Sequence, residues 1–346
     1  MLSKRVTLAD VARRAGLSVS AASMILNGRP DTRLSEDAHA RVHAAAAELG
    51  YRPNVAARGL KTDKTHTIAF VSDLVATTRY ASGLITGAIA AAESAGHVMM
   101  VLETGGEPKR ETEAIGAALD RQVDGFVFAS MRARELFLPE ISFDTPAVML
   151  NATNARFPRA VLPDELGGGR SAVGTLFAAG LEEGIALLGH SEKEEKGLFR
   201  SATVADRIAG IRAAMAEHGA EFTSESSIWL WEPDGGYQAT RKILRGRRKP
   251  SAILAMNDRL AFGAYQAIAE AGLRIPEDIS IVSFDNDELA AYLRPGLTTV
   301  GLPHQAMGRR SVEILLDNED VEETRVPMPL VERASVIRPP SLGVPA

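Results

Sequence analysis

The 346-residue sequence predicts a small all-α head followed by an α/β body of two lobes, each built on a parallel, doubly wound sheet. Three observations predict it. Three segments of helical pattern with clear start signals fill the first 50 residues. From His66 onward, short apolar runs alternate with amphipathic helices, and those runs fall into two sets. Strands alternating with helices imply parallel sheets covered on both faces, and two sets imply two lobes.

In the head, Thr7 and Asp10 form a capping box: the hydroxyl accepts a backbone N–H and the carboxylate suits the positive helix end. Leu8, Val11 and Ala12 follow at helical spacing, and Gly16 supplies the turn. Ser18 caps a second helix with Val19, Ala22, Ile25 and Leu26 on its apolar side. Ser35, with Glu36 and Asp37 behind it, opens a third helix that runs to Gly50 and turns Val42, Ala46 and Leu49 inward. Two short helices across a Gly-containing turn, plus a third, make a helix-turn-helix pattern. The second helix of such a unit enters the major groove, and its first turn must come close to base edges. The short side chains of Ser20, Ala21 and Ser23 permit that approach. A three-helix bundle packed through alanine is the alternative these residues leave open.

Charge points the same way. Residues 1–64 hold 11 Lys/Arg against 6 Asp/Glu, a net of +5, while the remainder holds 28 against 38, a net of −10. A basic head on an acidic body implies that the head alone meets a polyanion. The stretch "YRPNVAARGLKTDKTHT", residues 51–67, is too short to be a stable helix alone and would order only against something else.

In the body, "TIAFVS", "HVMMVLE", "GFVFAS" and "AVMLN" form the first set of strand-like runs; "IALLG", "SIWLW", "AILAM" and "ISIVSF" form the second. Helices are expected at 107–121, 203–218 and 257–271. The chain would cross to the second lobe near "LNATNARFPRAVLPDE" and return through "LTTVGLPHQAMG". Ligands of such sheets bind outside the carboxyl ends of the strands, so polar residues just after apolar runs are the site candidates. These are Asp73, Asn151, Asn257 and Asp285. Each also has a structural reading, Asn257 as a helix cap and Asp285 as a partner in an internal pair. Trp231 either stacks on the apolar face of a sugar ring or belongs to the core.

Several function classes are excluded. With no cysteine there is no disulfide or thiolate chemistry, and the chain fits a reducing compartment. No signal-peptide pattern or apolar run of spanning length is present, so a cytoplasmic protein without a membrane partner is expected. There is no GxSxG, HExxH, P-loop or GxGxxG, and no enzyme activity or cofactor is expected. "LGGGR" at 166–170 could cradle a phosphate or simply make a tight entry to a helix. His39 and His43 share a helix face and read as solvated or near DNA phosphates, and no metal site is expected.

The ordered series "VTLADVARRAGLSVS", "ILNG", "ELGYRPNVAARGL", "NDRLAFGA" and "IPEDISIVSFDN" resembles the lactose-repressor/galactose-repressor (LacI/GalR) family of transcriptional regulators across nearly the whole chain. The resemblance implies a helix-turn-helix domain at 1–50, a hinge helix at 51–65 and an effector-binding and dimerisation domain at 66–346. The last would have the type I periplasmic-binding-protein fold, lobe one about 66–163 and 299–325, lobe two about 164–298 and 326–340. It implies a homodimeric repressor of carbohydrate genes that binds a palindromic operator and is controlled by a sugar held between the lobes. A purine or nucleoside ligand is the alternative. The proline-rich tail after Glu332 is unsuited to a tetramerising coil.

By the same resemblance, DNA contacts would come from Thr7, Ser18, Val19, Ser20, Ala21, Ser23, Met24, Asn27, Tyr51, Asn54, Ala57, Arg58 and Leu60. Leu60 would be the wedge inserted from the minor groove. Met24 stands where relatives often carry arginine, and offers apolar contact with a thymine methyl or packs under the helix. Effector contacts would come from Asp73, Thr78, Tyr80, Asn151, Arg207, Trp231, Asn257, Asp285 and His304. "SDLVATTRYASG" departs from the family's usual aromatic loop and puts polar groups at Thr78 and Tyr80.

Overall fold

A computed structural model describes residues 6–27, 34–52, 64–140, 144–190, 201 and 203–337. The chain divides into two compact units, Met1–Thr65 and His66–Ala346.

The head comprises α1 (Leu8–Ala15), α2 (Val19–Leu26) and α3 (Glu36–Leu49). Each begins on the expected cap. Thr7 and Asp10 close the reciprocal box, Ser18 accepts from the Ala21 N–H, and Ser35 from the Ala38 N–H. Gly16 ends α1 at φ 68°, a conformation that L side chains rarely adopt. Val11, Ala22, Ile25 and Val42 form the centre of the head core, each at most 2 % exposed.

The body begins with β1 (Thr67–Ser72), α4 (Ser82–Ser94), β2 (Val98–Glu103), α5 (Pro108–Leu119), β3 (Gly125–Glu135), β4 (Ala147–Thr153) and β5 (Ala160–Pro163). It continues through α6 (Glu165–Ala178), β6 (Ile185–Leu188), α7 (Val204–Glu217), β7 (Ser224–Ser226), α8 (Pro233–Leu244), β8 (Ala252–Ala255), α9 (Asp258–Glu270) and β9 (Ser280–Asp285). It ends with α10 (Glu288–Tyr292), β10 (Thr298–Gly301), α11 (His304–Asp317), β11 (Glu323–Val326) and β12 (Leu330–Val331).

Two sheets result, β11-β5-β4-β3-β1-β2 and β12-β10-β9-β8-β6-β7. All pairs are parallel except β10 with β12. Strand order reverses between β1 and β3 in one sheet and between β6 and β8 in the other. Crevices form at such switch points, outside the carboxyl ends of the strands. The strands there are apolar on both faces, as sheets covered by helices require: β6 and β8 are buried throughout.

Two sequence expectations are corrected and a third is extended. "SIWLW" is not a strand; the neighbour of β6 is the polar Ser224–Ser226. An edge strand pairs on one side only and does not need apolar faces. Ile228 and Trp231 of that run instead pack on the second lobe's core, leaving Leu230 60 % exposed. The stretch 160–163, within the run that leads to the crossing, adds a strand to the first sheet that the apolar runs did not include, inside the lobe-one bound at 163. The return to the first lobe comes at 302–303 rather than 299, because β10 pairs with β9 in the second sheet before α11 packs on α4.

The glycines of "LGGGR" lie inside α6. A Cβ at Gly169 would stand 2.3 Å from the Arg207 carbonyl oxygen, and one at Gly210 2.1 Å from that of Leu166. The run therefore lets α6 and α7 touch backbone to backbone, which brings Arg207 against the start of α6.

Candidate functional site

In the head, successive α2 residues step by about 100° around the axis. Ser20, Ser23 and Asn27 thus share one outer face, flanked by Val19 and Met24. Ala21, Ala22 and Ile25 lie opposite and are buried. Two expectations change accordingly. Val19, expected on the apolar side, is 49 % exposed; Ala21, expected at the DNA face, is 8 % exposed. Asn27 donates to the Ser23 carbonyl at 2.7 Å and to its hydroxyl at 3.3 Å, bracing this outer face. Ser18 and Thr7 spend their side-chain oxygens as acceptors on helix N–H groups. Tyr51 is half-buried on the head core. Asn54, Ala57, Arg58 and Leu60 lie outside the described residues.

In the body, the candidates gather at the carboxyl ends of both sheets. On the second lobe, Arg207 is buried at 3 % exposure. Its Nε and Nη2 donate to the two Glu165 carboxylate oxygens at 2.6 and 2.8 Å, and Nη1 donates to the Met256 carbonyl at 2.6 Å. Burial opposes its charge, yet Glu165, Asp285 and Asp258 together hold its pKa above the ordinary value. The guanidinium carbon lies 4.4 Å from the Phe284 ring centroid and 5.9 Å from that of Trp231.

Asp285 Oδ1 is 3.9 Å from Arg207 Nη2. Among the described residues, no donor reaches hydrogen-bond distance of its carboxylate. The residue ends β9 at φ 103° and the next, Asn286, has φ 54°, so the chain leaves the sheet through a strained backbone. Burial pushes the Asp285 carboxyl up to about 7, against the pull of Arg207, although 32 % of the side chain stays accessible. Asp258, also lifted by burial to about 6, accepts from Ser283 and from the Asp287 N–H. Asn257 caps α9 through the Leu260 N–H at 2.9 Å and donates to the Trp231 carbonyl at 3.3 Å. Its cap reading holds, and the same amide fixes the tryptophan loop. Trp231 donates its indole N–H to the Gly189 carbonyl at 2.8 Å, just past β6.

On the first lobe, Asp73 accepts from the Leu74 and Met131 N–H groups at 2.6 and 2.9 Å, from the Ser130 hydroxyl at 2.7 Å and from Arg134 at 2.8 Å. Asn151, at φ 51°, donates to the carbonyls of Ser130 and Met131. Thr78 accepts from the Tyr80 N–H at 3.3 Å and shapes its own loop. His304 opens α11; burial lowers its pKa to about 4 against a hydrogen bond to the Tyr80 backbone, leaving a neutral ring.

The lobes are joined beside these groups. Arg259 of α9 donates to the Tyr80 hydroxyl across the cleft and pairs with Glu232 of its own lobe. Arg325 of β11 pairs with Asp206 of α7 at 2.9 Å.

Sequence reading missed Glu165, Arg259 and Phe284. Glu165 follows the crossing at Asp164, and a carboxylate beside a helix start reads as an exposed helix-end charge. Only its partner on another helix distinguishes it. Arg259 had a usable signal, two residues after the strand-end Asn257 on the same helix turn.

No helix among the described residues is long and apolar enough to cross a membrane, and no cluster of metal-ligating side chains occurs among them. Residues 7–54 match the model of bacterial regulatory proteins of the lacI family, and residues 175–336 that of the periplasmic binding protein-like domain. The ribose operon repressor of Escherichia coli (strain K12) is 30 % identical over 318 residues, covering 90 % of this chain and 92 % of that protein. The HTH-type transcriptional repressor PurR of Vibrio cholerae serotype O1 (strain M66-2) is 32 % identical over 328 residues, covering 92 % and 93 %. Among solved structures, the Lac repressor bound to ONPG in the repressed state superposes with a TM-score of 0.77 at 27 % identity, covering 96 % of this chain and all of that one. The transcriptional regulator CelR–cellobiose complex gives 0.61 at 25 %, with the same coverage. These similar proteins are transcriptional regulators rather than enzymes. With the capped three-helix head and the two parallel sheets already described, they establish that this chain belongs to the lacI family of bacterial regulatory proteins.

Proposed function

We propose that this chain is a homodimeric repressor that binds a palindromic operator and is controlled by an uncharged sugar held between the body's lobes. The observation that carries the sugar reading is the Arg207–Asp285 pair. Arg207 offers five N–H groups, and three are engaged by Glu165 and Met256. The free N–H groups stand beside a carboxylate that has no donor among the described residues, 3.9 Å away. A donor site next to an acceptor site suits hydroxyl groups, each of which both donates and accepts, and Trp231 adds an apolar face. Cellobiose in the CelR complex and the ribose operon named for the relative from Escherichia coli support a carbohydrate. Asn151, Asn257, Tyr80 and His304 complete the proposed cleft, with Asp73 and Thr78 shaping its first-lobe wall.

In the head, Ser20, Ser23 and Asn27, flanked by Val19 and Met24, form the proposed base-reading face of α2, with Thr7 and Ser18 at the helix starts. The backbone-contacting and wedge roles of Tyr51, Asn54, Ala57, Arg58 and Leu60 rest on the family resemblance. The dimer of the Lac repressor on its operator supports the same stoichiometry here. Sugar binding alters DNA affinity only by its unequal affinity for the two body states.

The test is a duplex selected from random sequence by the full-length protein, then titrated in the presence of mono- and disaccharides. A palindromic site bound by a dimer, with affinity shifted by one sugar, is expected. A shift with purine bases or nucleosides and none with sugars would replace the sugar reading.

A further inference from the structure

We infer that Glu165 makes the cleft a charge filter, one that admits uncharged ligands and rejects anionic relatives such as sugar phosphates, sugar acids and nucleotides. This rests on the cleft being the effector site, and it concerns the ligand's charge.

A buried arginine is ordinarily the residue that draws a carboxylate or phosphate, through its planar fork. Here that fork is already occupied. Glu165 takes Nε and Nη2 in a two-bond pair, with both side chains only 3 % exposed. Asp285 is then left over, close to the same guanidinium but without a hydrogen bond from any described residue. One cation faces two carboxylates.

Among the described residues, two further arginines at the cleft are themselves paired. Arg134 pairs with Asp73 at 2.8 Å, and Arg259 pairs with Glu232. The start of α6, an end that would otherwise attract anions, carries Asp164 and Glu165, and Asp164 accepts the Gly167 N–H at 3.0 Å. Arg79 lies over the Tyr80 ring at 5.4 Å, out in solvent. Burial is the main cause that raises the Asp285 and Asp258 carboxyls, and neighbouring carboxylates add to it.

An anionic ligand that approaches Arg207 therefore meets Asp285 beside a guanidinium already committed to Glu165. With Asp285 ionised, at about pH 8 and above, a separation of about 5 Å and an effective dielectric of about 20 make that repulsion worth on the order of a hundredfold in affinity. Glu165→Gln keeps an oxygen for Arg207 and removes the charge, so it releases the guanidinium toward the cleft.

The experiment measures, by calorimetry on the full-length protein at pH 8, matched neutral and anionic pairs: ribose with ribose 5-phosphate, glucose with glucuronate, cellobiose with cellobionate, and adenosine with its monophosphate. For whichever neutral member binds, the anionic partner is expected to bind about a hundredfold more weakly to the natural chain. In Glu165→Gln the ratio should fall to about tenfold or less, a single repulsion halved by the freed cation. Asp285→Asn, which leaves the buried pair whole, should lower the ratio too, and it serves if Glu165→Gln fails to fold. Equal affinities for neutral and anionic partners in the natural chain overturn the filter and leave the sugar reading intact. Adenosine binding without its monophosphate, and without any sugar, keeps the filter and removes the sugar reading.

Discussion

Asp73 and Asp285 look alike in the sequence: each follows an apolar run and each sits where a parallel strand ends. Their surroundings differ. Asp73 is saturated, with two backbone N–H groups, a hydroxyl and a guanidinium on its oxygens. Among the described residues, Asp285 has only Arg207, at 3.9 Å. The comparison extends to their arginines. Arg134 is 38 % exposed, whereas Arg207 is 3 % exposed and held by Glu165 and the Met256 carbonyl. The first lobe thus uses its polar groups to build a wall, and the second keeps an acceptor and free donors available. A saturated carboxylate holds structure; an unsatisfied one beside a buried cation is available to a ligand.

The largest expected effect is on folding. Removing one partner of a buried, two-bond ion pair leaves a charge with no compensation and costs about 3–5 kcal/mol. Arg207→Ala and Glu165→Ala should therefore each lower the body's stability by that amount in urea unfolding. Arg134→Ala, at a partly exposed pair, should cost about 1 kcal/mol or less. Equal losses at the two arginines would erase the contrast between the lobes.

The next effect separates the two aspartates. Asp285→Asn should weaken the effector by about 2–3 kcal/mol, the worth of a charge-assisted hydrogen bond, with no loss of stability at neutral pH. Asp73→Asn should do the reverse, losing about 1–3 kcal/mol of stability while retaining most of the effector affinity. Calorimetry and unfolding on both variants would show whether either aspartate has been assigned the wrong role.

The smallest expected effect is in the pH dependence. Asp285 and Asp258 have folded pKa values near 7 and 6, above their unfolded value of 3.8. Protonation favours the fold for both, so their contribution is fully present below pH 4 and is lost as pH rises through 6 to 7. His304 works in the opposite direction. Its folded pKa, near 4, lies below the unfolded 6.5, so its contribution is present above 6.5 and lost as pH falls toward 4. Asp285→Asn should flatten the melting-temperature profile between pH 4 and 7, and His304→Gln should flatten its acid side. Effector affinity that falls with acidification from pH 8 to 6, and loses that dependence in Asp285→Asn, would tie the carboxylate to the ligand.

What the sequence by itself determined is what short-range physics controls. Thr7, Ser18, Ser35 and Asn257 cap helices because each side chain reaches an N–H three residues away, and that reach is set by the local chain. The strands of the two lobes were legible from apolar runs, apart from the polar edge strand at 224–226, which has a single neighbour. The outer face of α2 follows from helix geometry, once the position of the head core is known. Tertiary structure alone decided the charge state of the cleft. Glu165 meets Arg207 across 42 positions because glycines at 169 and 210 let two helices touch. Whether an aspartate is saturated or free depends on which distant donors the fold delivers to it. Residue type and spacing carry that information only after the sheets have closed around them.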